Sequence, residues 1–236
     1  MDIQTQLTEL LSNILSRPAT DFNADTRLLG EMPDFDSMAL MLLLTEVSQS
    51  FSLDVQDAGF DSETFYSVAT LHTCCYELVP LALQRLTGRS VTLTHMPAFI
   101  PSAHNPYQQA GINYVEKKQD GAFVRLLQHI QQGAVVSLHA DLFARDVNVN
   151  FFGRQTTAPA GPAMLSAFAG TPMLLAYGCI GENGRYQVYI ESFMTEPVAR
   201  TKQAYTEAMQ LLYDRFERLI LRYPEQWYWS FNRWRT

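Results

Sequence analysis

From residue 90 to residue 223, short stretches rich in β-branched and aromatic residues alternate with stretches whose apolar residues recur at helical spacing. The pattern predicts strands over 90–95, 112–115, 134–139, 173–177 and 186–190, and helices over 123–132, 164–169 and 201–223. Strands and helices in alternation bury a sheet beneath covering helices. This part of the chain is therefore expected to form an α/β domain on a mixed, mainly parallel sheet. With 236 residues, 47% of them hydrophobic, the chain can bury a core and can hold one large or two modest domains.

The residues before it differ in charge. Residues 1–71 hold twelve Asp and Glu against two Arg, a net of -10, whereas residues 72–236 hold twelve against fifteen Lys and Arg, a net of +3. Two modules with different partners fit this split, the acidic one suited to basic docking patches on other proteins. An ordinary soluble acidic bundle fits the first half equally well. No Pro-, Gly- or Ser-rich linker separates the two parts. Basic residues do not cluster and the pI is about 5.2, which argues against a nucleic-acid partner. Three cysteines (Cys74, Cys75 and Cys179) make no disulfide framework and point to a reducing cytoplasm. No run approaches a membrane span, and the first residues lack the basic-then-apolar order of a secretion signal.

Within the acidic part, Ile3, Leu7, Leu10, Leu11, Ile14 and Leu15 recur at helical spacing until Arg17-Pro18 ends the pattern. A loop over 18–36 leads into a second helix over 37–51, which Asp36 or Ser37 can cap and whose dipole favours negative charge there. Leu40, Met41, Leu43, Leu44, Val47 and Phe51 give that helix an apolar face. A turn and a short helix over 59–71 complete a small bundle. Taken alone, Asp36-Ser37 reads as an N-cap. Together with Asp25-Thr26-Arg27-Leu28-Leu29-Gly30 and Phe65-Tyr66-Ser67-Val68-Ala69-Thr70-Leu71, however, it makes residues 1–71 resemble an acyl carrier protein of the fatty-acid and polyketide type. The resemblance implies an all-α four-helix carrier domain, with 4'-phosphopantetheine attached at Ser37 beside Asp36. It also implies a phosphopantetheinyl transferase and fatty-acid or polyketide synthesis enzymes as partners.

Residues 72–236 carry a second set of motifs. These are Gly133-Ala134-Val135-Val136 leading to Ala140-Asp141, then Val149-Asn150-Phe151-Phe152-Gly153-Arg154 and Pro159-Ala160-Gly161-Pro162-Ala163. Gly170-Thr171-Pro172 and the closing Tyr223-Pro224-Glu225-Gln226-Trp227-Tyr228-Trp229 with Arg233-Trp234 follow. On these residues the segment resembles the bacterial lysophospholipid acyltransferase-like family that includes the late acyltransferases of lipid A. It is expected to be a truncated domain lacking the family's usual N-terminal part. The strand that should precede the catalytic motif is expected to be replaced by the last carrier helix.

The resemblance implies a His-x-x-x-x-Asp/Glu motif in which His is the general base and the carboxylate holds its tautomer. His72-Thr73-Cys74-Cys75-Tyr76-Glu77 has that spacing, which matches His72 and Glu77 to the catalytic pair and Asp141 to an acidic position of the active-site region. If these residues instead form an unbroken helix, His72 and Glu77 lie about 140° apart around it and form no dyad. Arg154 could meet a phosphate or the carrier, or be a solvated loop charge. His95, His104, His129 and His139 have no defensible partner spacing, and no metal site is indicated.

Trp227, Tyr228, Trp229, Phe231 and Trp234, interleaved with Arg233 and Arg235, suit either a membrane interface or packing of the last helix on the sheet. Two functions are consistent with the whole. One is a carrier–acyltransferase fusion that moves an acyl group from a thioester on Ser37 to a lipid hydroxyl, in the cytoplasm or peripherally on the inner membrane. The other is a carrier fused to an inactive acyltransferase remnant that serves as an interaction module.

Overall fold

The computed structural model describes residues 3–23, 26, 32, 66–73, 76, 78–95, 106–109, 111–180 and 186–234. The chain divides into two compact units, Met1–Gly59 and Phe60–Thr236. Asp36, Ser37, the helix expected over 37–51, Cys74, Cys75, Glu77 and His104 lie outside the described residues.

In the first unit, helix α1 spans Ile3–Leu15, as the apolar spacing predicts, and Pro18 leads into a 3-10 turn at Ala19–Asp21. Leu11 and Phe22 are buried together, with Ile14, Leu15 and Met32 packed against them. The four-helix carrier bundle is not shown by these residues, of which only α1 is an α-helix.

The second unit is built on strands β1 (Tyr66–Thr70), β2 (Ser90–Thr94), β3 (Asn113–Glu116), β4 (Val135–His139), β7 (Met173–Ile180) and β8 (Tyr186–Met194). They form one sheet in the order β3-β2-β4-β1-β7-β8. Every pairing is parallel except β7 with β8, so the sheet is mixed and mainly parallel. Helices α2 (Leu78–Thr87), α3 (Pro106–Gln109), α4 (Ala122–Gln131), α5 (Gly161–Ala169) and α6 (Lys202–Arg222) accompany it. From α2, Val79 and Leu83 pack on Val68, Val135 and Ala176. Thr201 caps α6, its hydroxyl accepting from the Ala204 N–H at 3.1 Å, and a stripe from Tyr205 through Met209, Leu212 and Phe216 to Ile220 is buried.

Strand β1 corrects one expectation. Residues 66–70 were expected to end the last carrier helix and to leave the sheet without a strand before His72. They form the strand between β4 and β7 instead. Ser67, Val68, Ala69 and Thr70 are all fully buried, and the Ser67 hydroxyl donates to the Pro162 carbonyl at 2.9 Å, so small and β-branched side chains fit where helices cover the sheet.

Strands β5 (Val147–Phe151) and β6 (Arg154–Ala158) make a separate antiparallel hairpin that the sequence pattern did not announce. Its two-residue connection has φ of 51° at Phe152 and 70° at Gly153, as a type I' turn requires. Phe152 holds this left-handed conformation while its N–H donates to a Glu217 carboxylate oxygen at 2.5 Å.

Candidate active site

Strand register builds the site. β1 and β4 run parallel with Thr70 opposite His139, so the residues two positions beyond each, His72 and Asp141, emerge side by side at the carboxyl edge of the sheet. That edge is where parallel sheets gather functional groups. Thr73 anchors the same exit on the other side, its hydroxyl donating to the Gly178 carbonyl of β7 at 2.5 Å.

The His72 and Asp141 side chains meet directly. Nδ1 of His72 lies 2.6 Å from Oδ1 of Asp141, and the His72 backbone N–H donates to Oδ2 at 3.0 Å. Both residues are buried, at 5% and 0% exposure. A carboxylate on Nδ1 places the ring proton there and leaves Nε2 as the acceptor, which is the tautomer a general base needs.

Two residues from the far end of the chain complete the carboxylate's shell. Trp227 donates its indole N–H to Oδ2 at 2.9 Å, and Arg233 Nη2 lies 3.2 Å from the same oxygen. Arg233 Nε also donates to the Asp141 backbone carbonyl at 2.7 Å. The segment is fastened to the His72 strand exit by a bridge between Thr73 and Trp227 and by the Tyr228 N–H, which donates to the His72 carbonyl at 3.0 Å. Burial by itself would raise the Asp141 pKa. The His72 hydrogen bond, the neighbouring His72 and Arg233 and the Trp227 indole outweigh it and hold this carboxyl well below the usual carboxylate range.

A second imidazole stands beside the first. The rings of His72 and His139 are 4.3 Å apart, and His139 Nδ1 is 2.5 Å from the Thr70 hydroxyl. Burial, then the nearby His72, lowers the His139 pKa from 6.5 to about 3, so its ring is neutral at physiological pH. Tyr76 and Phe231 set their ring edges against His72 at 4.6 and 5.3 Å.

Of the expected site residues, the structure brings His72 to Asp141. Glu77, the expected partner of His72, lies outside the described residues, as do Asp36 and Ser37. Arg154 starts β6 with its guanidinium 5.7 Å from the Trp234 ring centroid, a packing contact on the hairpin. His95 pairs with Glu116 at 2.7 Å on the surface. The closing aromatics divide: Trp227 is buried, whereas Tyr228, Trp229 and Phe231 are exposed near the site. Sequence reasoning missed Trp227, Arg233, His139 and Thr70 as members of the site. The one legible signal was an arginine set among aromatics in the closing segment, and nothing there named its partner. Among the described residues, no group of three His, Cys, Asp or Glu could hold a metal ion.

The arrangement is an oriented imidazole able to accept a proton from an attacking group, as acyl transfer to a hydroxyl requires. A family model described as bacterial lipid A biosynthesis acyltransferase matches residues 106–236. No curated protein matches the chain. The match takes in Asp141, Trp227 and Arg233, and β1 brings His72 to them from outside it. Because that match covers more than half of its length, the chain belongs to the bacterial lipid A biosynthesis acyltransferase family.

Proposed function

We propose that this protein is an acyl-thioester-dependent O-acyltransferase of lipid biosynthesis, with His72 as general base and Asp141 as the group that orients it. The observation that carries the reading is the 2.6 Å contact between His72 Nδ1 and Asp141 Oδ1 inside a buried shell. Nε2 removes the proton from a lipid hydroxyl as its oxygen attacks the thioester carbonyl. The tetrahedral intermediate then collapses, the C–S bond breaks, and the imidazolium returns the proton to the departing thiolate. The products are an ester and a free thiol.

The donor end of the proposal rests on the sequence. Ser37, next to Asp36, is the attachment point proposed for 4'-phosphopantetheine, which supplies a thiol that holds acyl chains as thioesters. Neither residue is among those described, and no step above is routed through the arm. Glu77 remains a proposed member of the site through the motif spacing, with the imidazole orientation assigned to Asp141. For Arg154 the proposal is a contact with an acceptor phosphate or with the carrier at the hairpin.

The exposed Tyr228, Trp229 and Phe231 are proposed to meet the lipid surface from which the acceptor comes, on the cytoplasmic face of the inner membrane. None of the helices described is long and apolar enough to cross a membrane. The test uses purified full-length protein, lauroyl-coenzyme A and a lysophospholipid in mixed micelles, with products read by lipid mass spectrometry. Transfer by wild type and its loss in H72Q support the reading. No transfer to any acceptor, with Ser37 still accepting the arm, favours the carrier with an inactive acyltransferase remnant.

A further inference from the structure

We infer that Arg233 is a positioning residue whose guanidinium balances the Asp141 carboxylate and thereby weakens the hold of the His72–Asp141 pair on a proton. The inference rests on the acyl-transfer reading for its purpose, but on geometry for its content. Arg233 is 2% exposed, an unusual place for a guanidinium, and Asp141 is its carboxylate partner. Nη1 donates to the backbone carbonyls of Tyr228 at 2.7 Å and Phe231 at 3.1 Å, and the guanidinium carbon lies 3.9 Å from the Trp227 ring centroid. Its own backbone carbonyl accepts from the Thr156 hydroxyl. Backbone and ring contacts thus fix the side chain, while Nη2 reaches the Asp141 oxygen opposite the one that the imidazole uses.

Charge balance gives this placement its effect. Guanidinium, carboxylate and neutral imidazole sum to zero inside a buried shell. Without the guanidinium the same shell carries a net negative charge, which burial disfavours, and a proton bound to the pair cancels it. That proton would occupy Nε2, the position the acceptor hydroxyl needs. The other titratable groups around the pair do not replace the charge. His139 at the end of β4 is neutral, with Lys117 acting further to keep it so, and Tyr76 stands edge-on to His72. From α6, the Tyr213 hydroxyl donates to the Ala140 carbonyl at 2.9 Å, and burial keeps it a phenol. Among the described residues, Arg233 is the cation whose side chain contacts the carboxylate.

The deciding experiment is a nuclear magnetic resonance titration of the His72 ring in the full-length protein, without acyl substrate, with the signal assigned by its loss in H72Q. In R233Q, which keeps side-chain donors and removes the charge, the titration midpoint is expected to rise by at least about one pH unit. In R233K, which keeps the charge, it should stay within about 0.3 of wild type. The double variant R233Q/D141N should lose the rise. A folded R233Q with an unmoved midpoint, or R233K moving as far as R233Q, overturns the inference. Should R233Q not fold, R233M, which removes the charge but keeps an apolar stem beside Trp227, decides in its place: the same rise is expected, and an unmoved midpoint overturns the inference. Because the titration needs no turnover, absence of acyl transfer with these shifts present would sink the functional reading alone.

Discussion

The indole N–H of Trp227 donates to Asp141 Oδ2 at 2.9 Å across 86 residues of sequence. A carboxylate that already receives His72 and Arg233 is thereby fixed at both oxygens before any substrate arrives. Trp227→Phe keeps most of the ring and deletes this donor. It is expected to cost about 1–3 kcal/mol of stability, the usual penalty for leaving a buried acceptor short of a partner, read from the urea midpoint.

His72 and Asp141 differ in what they should lose. Replacing His72 with Gln removes the base and should lower acyl transfer by about 10²–10⁴-fold with the circular dichroism spectrum unchanged. Asp141→Asn should give a loss of similar order, because Nδ1 would then meet an amide that no longer dictates the ring tautomer. The initial rate of thiol release from lauroyl-coenzyme A in the presence of acceptor measures both.

His139 makes stability depend on acid. Its folded pKa is about 3 against 6.5 for the free side chain, so as pH falls below about 6.5 the unfolded chain binds a proton that the folded one refuses. Stability is full above that pH and is lost progressively as pH falls towards about 3. Asp141, held below its ordinary 3.8, acts in the same direction lower down: its contribution is present above that value and lost as acid titrates the folded carboxyl. Thermal melts from pH 7 to 4 should fall less steeply in H139N than in wild type.

Phe151, fully buried at the end of β5, stacks on Trp234 at 5.7 Å and sets an edge against Trp227 at 5.7 Å and Tyr213 at 4.9 Å. Phe151→Ala should cost about 3–5 kcal/mol and loosen the segment that carries Trp227 and Arg233. Activity should therefore fall at temperatures where the fold persists, as a comparison of melting and activity curves will reveal.

Ser37→Ala tests the carrier proposal independently. Wild-type protein incubated with a phosphopantetheinyl transferase and coenzyme A should gain the mass of one arm, and the variant none, by intact mass spectrometry. A wild-type protein that gains nothing removes the carrier while leaving the His72 chemistry untouched.

Much of the α/β unit was legible because its period is local. The strand expected over 134–139 appears as Val135–His139, and the helix expected over 201–223 as Lys202–Arg222. Tyr66–Thr70 was misread because a strand buried on both faces shows no alternation to separate it from a short helix, and its resemblance to a carrier's last helix supplied the wrong choice. The contact between His72 and Asp141 could not be read from spacing. It arises from the register of β1 on β4, which pattern within one strand does not encode. Arg233 was invisible for the same reason, since its partner lies 92 residues away.

Strand β1, inside the sheet, is also the earliest in the chain among the described strands. Among the described residues, Tyr66–Thr70 finds its neighbours in Val135–His139 and Met173–Ile180, both far along the chain. During synthesis this ribbon must therefore wait with both edges open while a long stretch of polypeptide emerges, because distant pairing costs loop-closure entropy first. Such a nascent intermediate is a natural client for chaperones, and the yield of soluble protein should respond to translation speed more than to the stability of the finished fold.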